Sequence, residues 1–192
     1  MNLSFSAAQA VPAAMTAGNR EQPVIHAPRL TLRPLRRQDR DQLQLFTSDR
    51  RLAEGTRSIP HPLPADAAAS FIEAARAPDR EEDVWALDGS LRGSATLMGV
   101  ISLKALDRGQ SQIGYWVAPA FWNTGLASEA VRALIEANPH ASRTLFAEVF
   151  QDNPVSARIL TNAGFEYIGD AEAMSLARGQ AVPTWTYLRR MD

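Results

Sequence analysis

The stretch APAFWNTGLASEAVRALIEA, residues 118–137, changes character at a single glycine. Aromatic residues and a proline give way to Asn-Thr-Gly, and beyond Gly125 the apolar residues recur at helical spacing. A chain that enters a helix through small side chains and bare backbone leaves the first N–H groups of that helix open. Those groups and the helix dipole form a cradle for an anion such as a phosphate, and glycine lets the ligand approach the backbone closely. Taken alone, a glycine between strand and helix is more often only a turn. The spacing excludes a P-loop, which ends in Gly-Lys-Ser/Thr, and a dinucleotide fingerprint, which needs three glycines.

Composition narrows the partners. A chain of 192 residues with 45% hydrophobic residues can bury one substantial core, so one domain is expected. A net charge of −1 argues against nucleic acid and against a membrane surface, both of which call for a basic face. The absence of cysteine removes disulfides, thiolate nucleophiles and cysteine-ligated zinc. His26, His61 and His140 lie far apart without ligand spacing, so no metal is expected. No apolar stretch approaches the roughly 20 residues that span a bilayer, and the first residues lack the basic start of a signal peptide. A cytoplasmic protein is the expectation. Residues 1–23, rich in Ala, Gln, Ser, Thr and Pro, read as a flexible extension ahead of a domain over 24–192.

The chain then reads as an ordered series of elements. RLTLRPL (29–35) alternates as a half-buried strand does, and RRQDRDQLQLFTSDRRLAE puts Leu43 and Phe46 on one helical face behind Asp39. Asp66 stands at an N-cap position before an alanine-rich helix. Residues 84–87, 96–106 and 111–118 read as a meander of three strands with turns at Asp88-Gly89 and Asp107-Arg108-Gly109. A helix from about Gly125 to Ala137, a strand over 143–150, a helix over 153–165 ended by Ala163-Gly164, and two closing strands complete an α/β order with parallel and antiparallel neighbours.

Two motifs in this order, IGYWVAPAFWNTGLASEA and DNPVSARILTNAGF, resemble the GNAT superfamily of acetyl-CoA-dependent N-acetyltransferases. The closer likeness is to its RimJ/RimL-like branch, in which Gly-Tyr-Trp-Leu leads to a Trp-Gly-Arg-Gly-Tyr-Ala turn and Asn-Pro-x-Ser leads to Gly-Phe. RLTLRPL and IPHPLPADAAASFI extend the likeness from Arg29 to about Arg190. The resemblance implies a GNAT-like α/β fold, a mixed central sheet of about seven strands with helices on both faces. It also implies acetyl-CoA as co-substrate and an amine acceptor, either a protein N-terminus or a small molecule, and it allows a homodimer.

Carried over residue by residue, the family's pyrophosphate loop falls on Trp122, Asn123, Thr124, Gly125, Leu126 and Ala127, with Ser128 in the same helical turn. Thr124 stands where a basic residue is usual. The strand Gly114 to Ala118 would bond the pantetheine arm, and a backbone N–H near Val117 would polarise the thioester carbonyl. Asn153 matches an asparagine that contacts the pantetheine region, and Ser156 lies about one turn further on. The implied chemistry is direct attack of a neutral amine on the thioester, through a tetrahedral intermediate, with loss of the coenzyme thiolate. A free α-amino group titrates near pH 8, so the base need not be strong.

Two departures qualify the likeness. Many relatives use a tyrosine on the last helix as the acid; Leu160 occupies that position, which makes Ser156 the candidate donor. The branch commonly has an acidic residue where this chain has Gln112, which cannot titrate, so a general base is another group or water. Glu148 is one alternative, although a Glu on a strand more often points to solvent. Tyr115 and Tyr187 are weaker candidates, and Trp85, Trp116, Trp122 and Trp185 read by default as core or pocket wall. His61 reads as a loop residue and the Arg-rich clusters at 36–40 and 49–51 as a solvated face. Gln112 and Thr124 also admit a catalytically weak or inactive acyl-CoA-binding regulatory module.

Overall fold

The computed structural model describes residues 22–191. The extension expected over 1–23 therefore lies outside the described residues except for Gln22 and Pro23. These two already touch the fold, since the Gln22 carboxamide donates to the Val84 carbonyl and the Trp85 indole donates to the Pro23 carbonyl, both at 2.8 Å.

The described strands are β1 (Ile25–His26), β2 (Thr31–Pro34), β3 (Glu82–Asp88), β4 (Gly99–Leu106), β5 (Gln110–Val117), β6 (Thr144–Phe150), β7 (Glu166–Ser175) and β8 (Gln180–Arg190). They form one sheet in the order β1-β2-β3-β4-β5-β6-β8-β7. Every neighbouring pair is antiparallel except β5 with β6. The sheet thus has eight strands where about seven were expected. The addition is β1, whose two residues are too short to show a period in the sequence.

The helices are α1 (Arg40–Thr47), α2 (Arg50–Glu54), α3 (Ala67–Arg76), α4 (Leu126–Ala137) and α5 (Pro154–Asn162). Side chains alternate across the sheet, so each central strand serves two cores. Val84, Ala86 and Val100 pack with Leu43 of α1 and with Ala68 and Ile72 of α3. Trp85, Leu87, Ile101 and Leu103 pack on the other face with Leu126, Val131 and Leu134 of α4 and Leu160 of α5. Burial on both faces explains why residues 84–87 are continuously apolar and why 100–103 are apolar except for Ser102.

The segment expected as one helix after the first strand is broken in two. Asp49 leaves helical geometry, with ψ 119°, and its carboxylate accepts from the Arg51 N–H at 2.9 Å, so it stops α1 and caps α2. Asp39 does more than face a helix dipole. It is buried and grips the Arg33 guanidinium through both oxygens at 2.8 Å, while Asp88 holds the same guanidinium at 2.6 Å. Asp66 precedes α3 as expected, but its side chain makes no capping bond.

Candidate active site

The parallel ladder between β5 and β6 is short. It pairs Gln110 with Thr144, Ser111 with Leu145 and Gln112 with Phe146, and then stops. Beyond Gln112, β5 keeps its partner β4 as far as Val117, and β6 keeps β8 as far as Phe150. The two strands diverge, and a cleft of about 740 Å³ opens between them.

The ladder parity shows what lines the gap. The Ala118 N–H donates to Met98 at 2.9 Å and the Gly114 carbonyl faces Ser102, so these groups point toward β4. In an antiparallel pair the alternate residues point the other way. Ile113, Tyr115 and Val117 therefore direct their main-chain groups away from β4, toward the side that β6 has left, and Ile113 and Tyr115 line the cleft. The Val117 carbonyl is taken by the Trp122 indole N–H at 2.7 Å, which leaves the Val117 N–H facing the gap. A strand edge of this kind can receive an extended, amide-bearing chain as an added strand.

The turn at Gly125 lies at the end of this edge. Gly125 sits in the left-handed region at φ 79° as the N-cap of α4, with no side chain capping it, and residues 122–125 are exposed. The first-turn N–H groups of Leu126, Ala127 and Ser128 are thus available to an anion. Asn123 also has positive φ, 60°, and the Thr124 hydroxyl donates to the Phe121 carbonyl at 2.6 Å, so the loop is held by its own hydrogen bonds. Trp122 lies under the Arg51 guanidinium, 5.5 Å from ring centroid to cation.

A basic residue does reach this loop, from the turn between β1 and β2, 95 residues earlier in the chain. Arg29 donates to the Thr124 carbonyl at 2.8 Å, and its guanidinium lies beside Gly125. Glu129 of α4 fixes it by accepting from its side chain and its backbone N–H, both at 2.6 Å. Half of the Arg29 side chain remains exposed, so its charge is open to a ligand at the loop.

On the α4–α5 face, Asn153 caps α5, its side-chain oxygen accepting from the Ser156 N–H at 3.1 Å. Its amide nitrogen and the Ser156 hydroxyl carry no partner among the described residues, and both residues line the cleft. The Tyr115 hydroxyl donates to the Ser156 carbonyl across the gap at 3.2 Å. Burial pushes the Tyr115 phenol up to about 12, against the smaller opposite effect of that hydrogen bond. Tyr115 therefore remains a protonated donor at any physiological pH. Leu160, whose aliphatic side chain has no proton to transfer, is buried and forms part of the cleft floor.

On the α1–α3 face, Gln112 lies at the apex where the strands part, level with Lys104 of β4. Glu148 of β6 lines the same cleft and is held by the Arg57 guanidinium from the segment between α2 and α3. Its side chain is only 27% exposed, so the default expectation of a solvent-facing glutamate does not describe it. Among the described residues no group of three or more His, Asp or Glu side chains could hold a metal ion, and no helix is long and apolar enough to cross a membrane.

This arrangement suits a coenzyme thioester: an open helix N-terminus with an added cation, a strand edge for an amide-bearing arm, and side-chain donors where that arm would end. Comparison with known proteins agrees. Residues 29–166 match the acetyltransferase (GNAT) domain family. The chain is 29% identical over 175 residues to the uncharacterized N-acetyltransferase YoaA of Bacillus subtilis (strain 168), covering 86% of this chain and 95% of that protein. Its fold is similar to that of RimL, a ribosomal L7/L12 alpha-N-protein acetyltransferase solved in complex with coenzyme A (TM-score 0.73, 17% identity, 88% of this chain and 99% of that one). It is also similar to RimJ of Mycobacterium smegmatis in complex with a coenzyme A disulfide (TM-score 0.72, 16% identity, 88% and 86%). The chain belongs to the GNAT family, whose members are N-acetyltransferases that use acetyl-CoA.

Proposed function

We propose that the protein transfers the acetyl group of acetyl-CoA directly to a primary amine, with the two substrates entering from opposite faces of the sheet and meeting between β5 and β6. The observation that carries this reading is the end of the β5–β6 ladder at Gln112 and Phe146. It opens a passage through the sheet with Ser156 and Tyr115 on one face and Glu148 on the other.

Acetyl-CoA supplies an activated acetyl thioester. Gly125 and the N–H groups of Leu126, Ala127 and Ser128 receive its diphosphate, while Trp122, Asn123 and Thr124 shape the loop and Arg29 supplies the charge that Thr124 lacks. The Asn153 amide faces the pantetheine arm, and the Val117 N–H polarises the thioester carbonyl. Glu148 accepts the proton that a primary ammonium must lose before its nitrogen can attack. Gln112, which cannot titrate, offers the acceptor a hydrogen bond at the apex. As the C–N bond forms and the C–S bond breaks, the Ser156 hydroxyl donates to the departing sulfur. A cytoplasmic location goes with this co-substrate.

The test joins calorimetry with acetyl-CoA to a free-thiol release assay over N-terminal peptides and small amines. Acetyl-CoA binding with amine-dependent thiol release supports the reading. Binding of both substrates without release supports the regulatory module that Gln112 and Thr124 admit. No acetyl-CoA binding overturns the assignment of the Gly125 loop.

A further inference from the structure

The acceptor side of the cleft carries a charge pattern that restricts what can bind there. Glu148 and Arg57 meet across it as an ion pair, with 27% and 51% of their side chains exposed. A pair this exposed contributes little to stability, so exchanging it for other partners costs little. The main chain of Arg57 is nonetheless fixed, because its carbonyl accepts from the Leu176 N–H at 3.0 Å where the β7–β8 turn folds back. Close to the pair lies a second unusual group. Thr184 lines the same cleft and is 1% exposed, and its buried hydroxyl oxygen has no hydrogen-bond partner among the described residues. Thr184 pairs with Phe150, two residues beyond Glu148 on the same face of β6. A buried hydroxyl without a partner is costly unless a ligand supplies one. The rest of the lining combines Glu82 and Lys104, which face each other across β3 and β4, with apolar residues, of which Phe71, Met174 and Leu176 remain exposed at 39%, 56% and 53%.

We propose that the acceptor is a small zwitterion with an uncharged, apolar side chain: an amine carrying a carboxylate a few bonds away, as an α-amino acid does. The inference rests on the reading of this cleft as the acetyl-transfer site. Glu148 receives the ammonium, and Arg57 receives the carboxylate, to which the Thr184 hydroxyl also donates. Charge balance selects for this class. A polyamine would draw Glu148 away from Arg57 and leave a guanidinium facing further positive charge. An anion without an amine would leave Glu148 facing negative charge. A zwitterion replaces one ion pair by two, and specificity comes as much from the rejected charge patterns as from the accepted one. Arg57 is in this scheme a specificity residue that touches the substrate at a point away from the reacting nitrogen.

The experiment compares alanine, leucine, methionine and phenylalanine with the carboxamide of each and with spermidine. Binding is measured by calorimetry on the coenzyme A-saturated protein, and turnover by thiol release, for wild type, Arg57→Gln and Arg57→Lys. At least one acid should bind and react with a kcat/KM about tenfold or more above its amide, because a site built around a charged group rejects the analogue lacking it. In Arg57→Gln the acid-to-amide ratio should fall toward one, chiefly through KM for the acid, and Arg57→Lys should restore part of it. Amides or spermidine that match or exceed the acids, acids that neither bind nor react, or an Arg57→Gln variant that keeps the wild-type ratio would overturn the proposal. Failure of the underlying reading shows separately, as a protein that does not bind acetyl-CoA.

Discussion

The two ends of the β5–β6 seam treat polar groups in opposite ways. At the closed end, Ser111 and Ser142 share a hydrogen bond at 2.8 Å, Ser111 meets a His140 ring nitrogen at 3.2 Å, and the other His140 nitrogen meets Asp83 at 2.9 Å. Arg80 completes the chain at 2.6 Å from Asp83. A Ser-His-Asp order invites a catalytic reading, yet Ser111 is 1% exposed and the network lies away from the cleft. At the open end, Glu148 and Arg57 meet in partial solvent, and among the described residues the Ser156 hydroxyl, the Asn153 amide nitrogen and the buried Thr184 hydroxyl have no partner. A satisfied network excluded from water holds strands together; an unsatisfied one beside a cleft has capacity left for a ligand. The same residue types are satisfied by one another in one place and left open to a ligand in the other, and access decides which.

The largest effect that would break this contrast is on Glu148. Glu148→Gln should lower kcat for thiol release by about 10²–10³-fold, the range of a lost general base, with the thermal midpoint nearly unchanged. A variant that kept its rate would make the open end as structural as the closed one.

The converse change belongs to the closed end. Asp83→Ala removes the carboxylate that both His140 and Arg80 bond, and should cost about 3 kcal/mol in urea unfolding while kcat of the folded protein is unchanged. The effect has a definite pH dependence. Burial pushes the Asp83 carboxyl up, but the hydrogen bonds from His140 and Arg80 outweigh it and hold the group below its ordinary value. A depressed folded value means that the unfolded chain takes up the proton first on acidification. The advantage of wild type over Asp83→Ala is therefore full above the unfolded carboxyl value of about 3.9 and is lost as pH falls through the lower folded value.

A smaller effect falls on the coenzyme loop. Arg29→Ala should weaken acetyl-CoA binding in calorimetry about tenfold, with the difference shrinking as salt is added, because an exposed guanidinium acts on phosphate through a screened field. Unchanged affinity would mean that Arg29 only latches the β1–β2 turn to α4 through Glu129.

These groups differ in how far the sequence could reveal them. The Gly125 turn, the strand before it and the helix that starts at Asn153 were legible because each is a local pattern: a glycine between strand and helix, an apolar run and an Asn-Pro start; the Asn153 cap itself emerged only from the structure. The break at Asp49 had its cap residue in view, but it was masked by a helical period continuing on both sides. The partners that define the site were not legible. Arg29 and Glu129 stand 100 residues apart, and Arg57 and Glu148 stand 91 apart. Nothing local marks one arginine among many as the one that reaches a cleft. The face on which Glu148 points follows from the register of β6 against β8, and its nearness to Arg57 from the splay of the sheet. Both are tertiary facts.

The smallest expected effect sharpens the comparison within the open end. Ser156→Ala should lower kcat only about threefold and leave KM for both substrates near wild type. A coenzyme thiol resembles a cysteine, whose ordinary value is about 8.5, so its thiolate departs readily and a hydrogen-bond donor adds little. Removing a proton from an ammonium is the harder step at neutral pH, which is why the larger loss is expected at Glu148. Tyr115 reaches the Ser156 main chain rather than its side chain, so the serine hydroxyl can be deleted without disturbing that contact. A loss as large as that of Glu148→Gln would reverse the order and place the difficulty of the reaction on the departing sulfur.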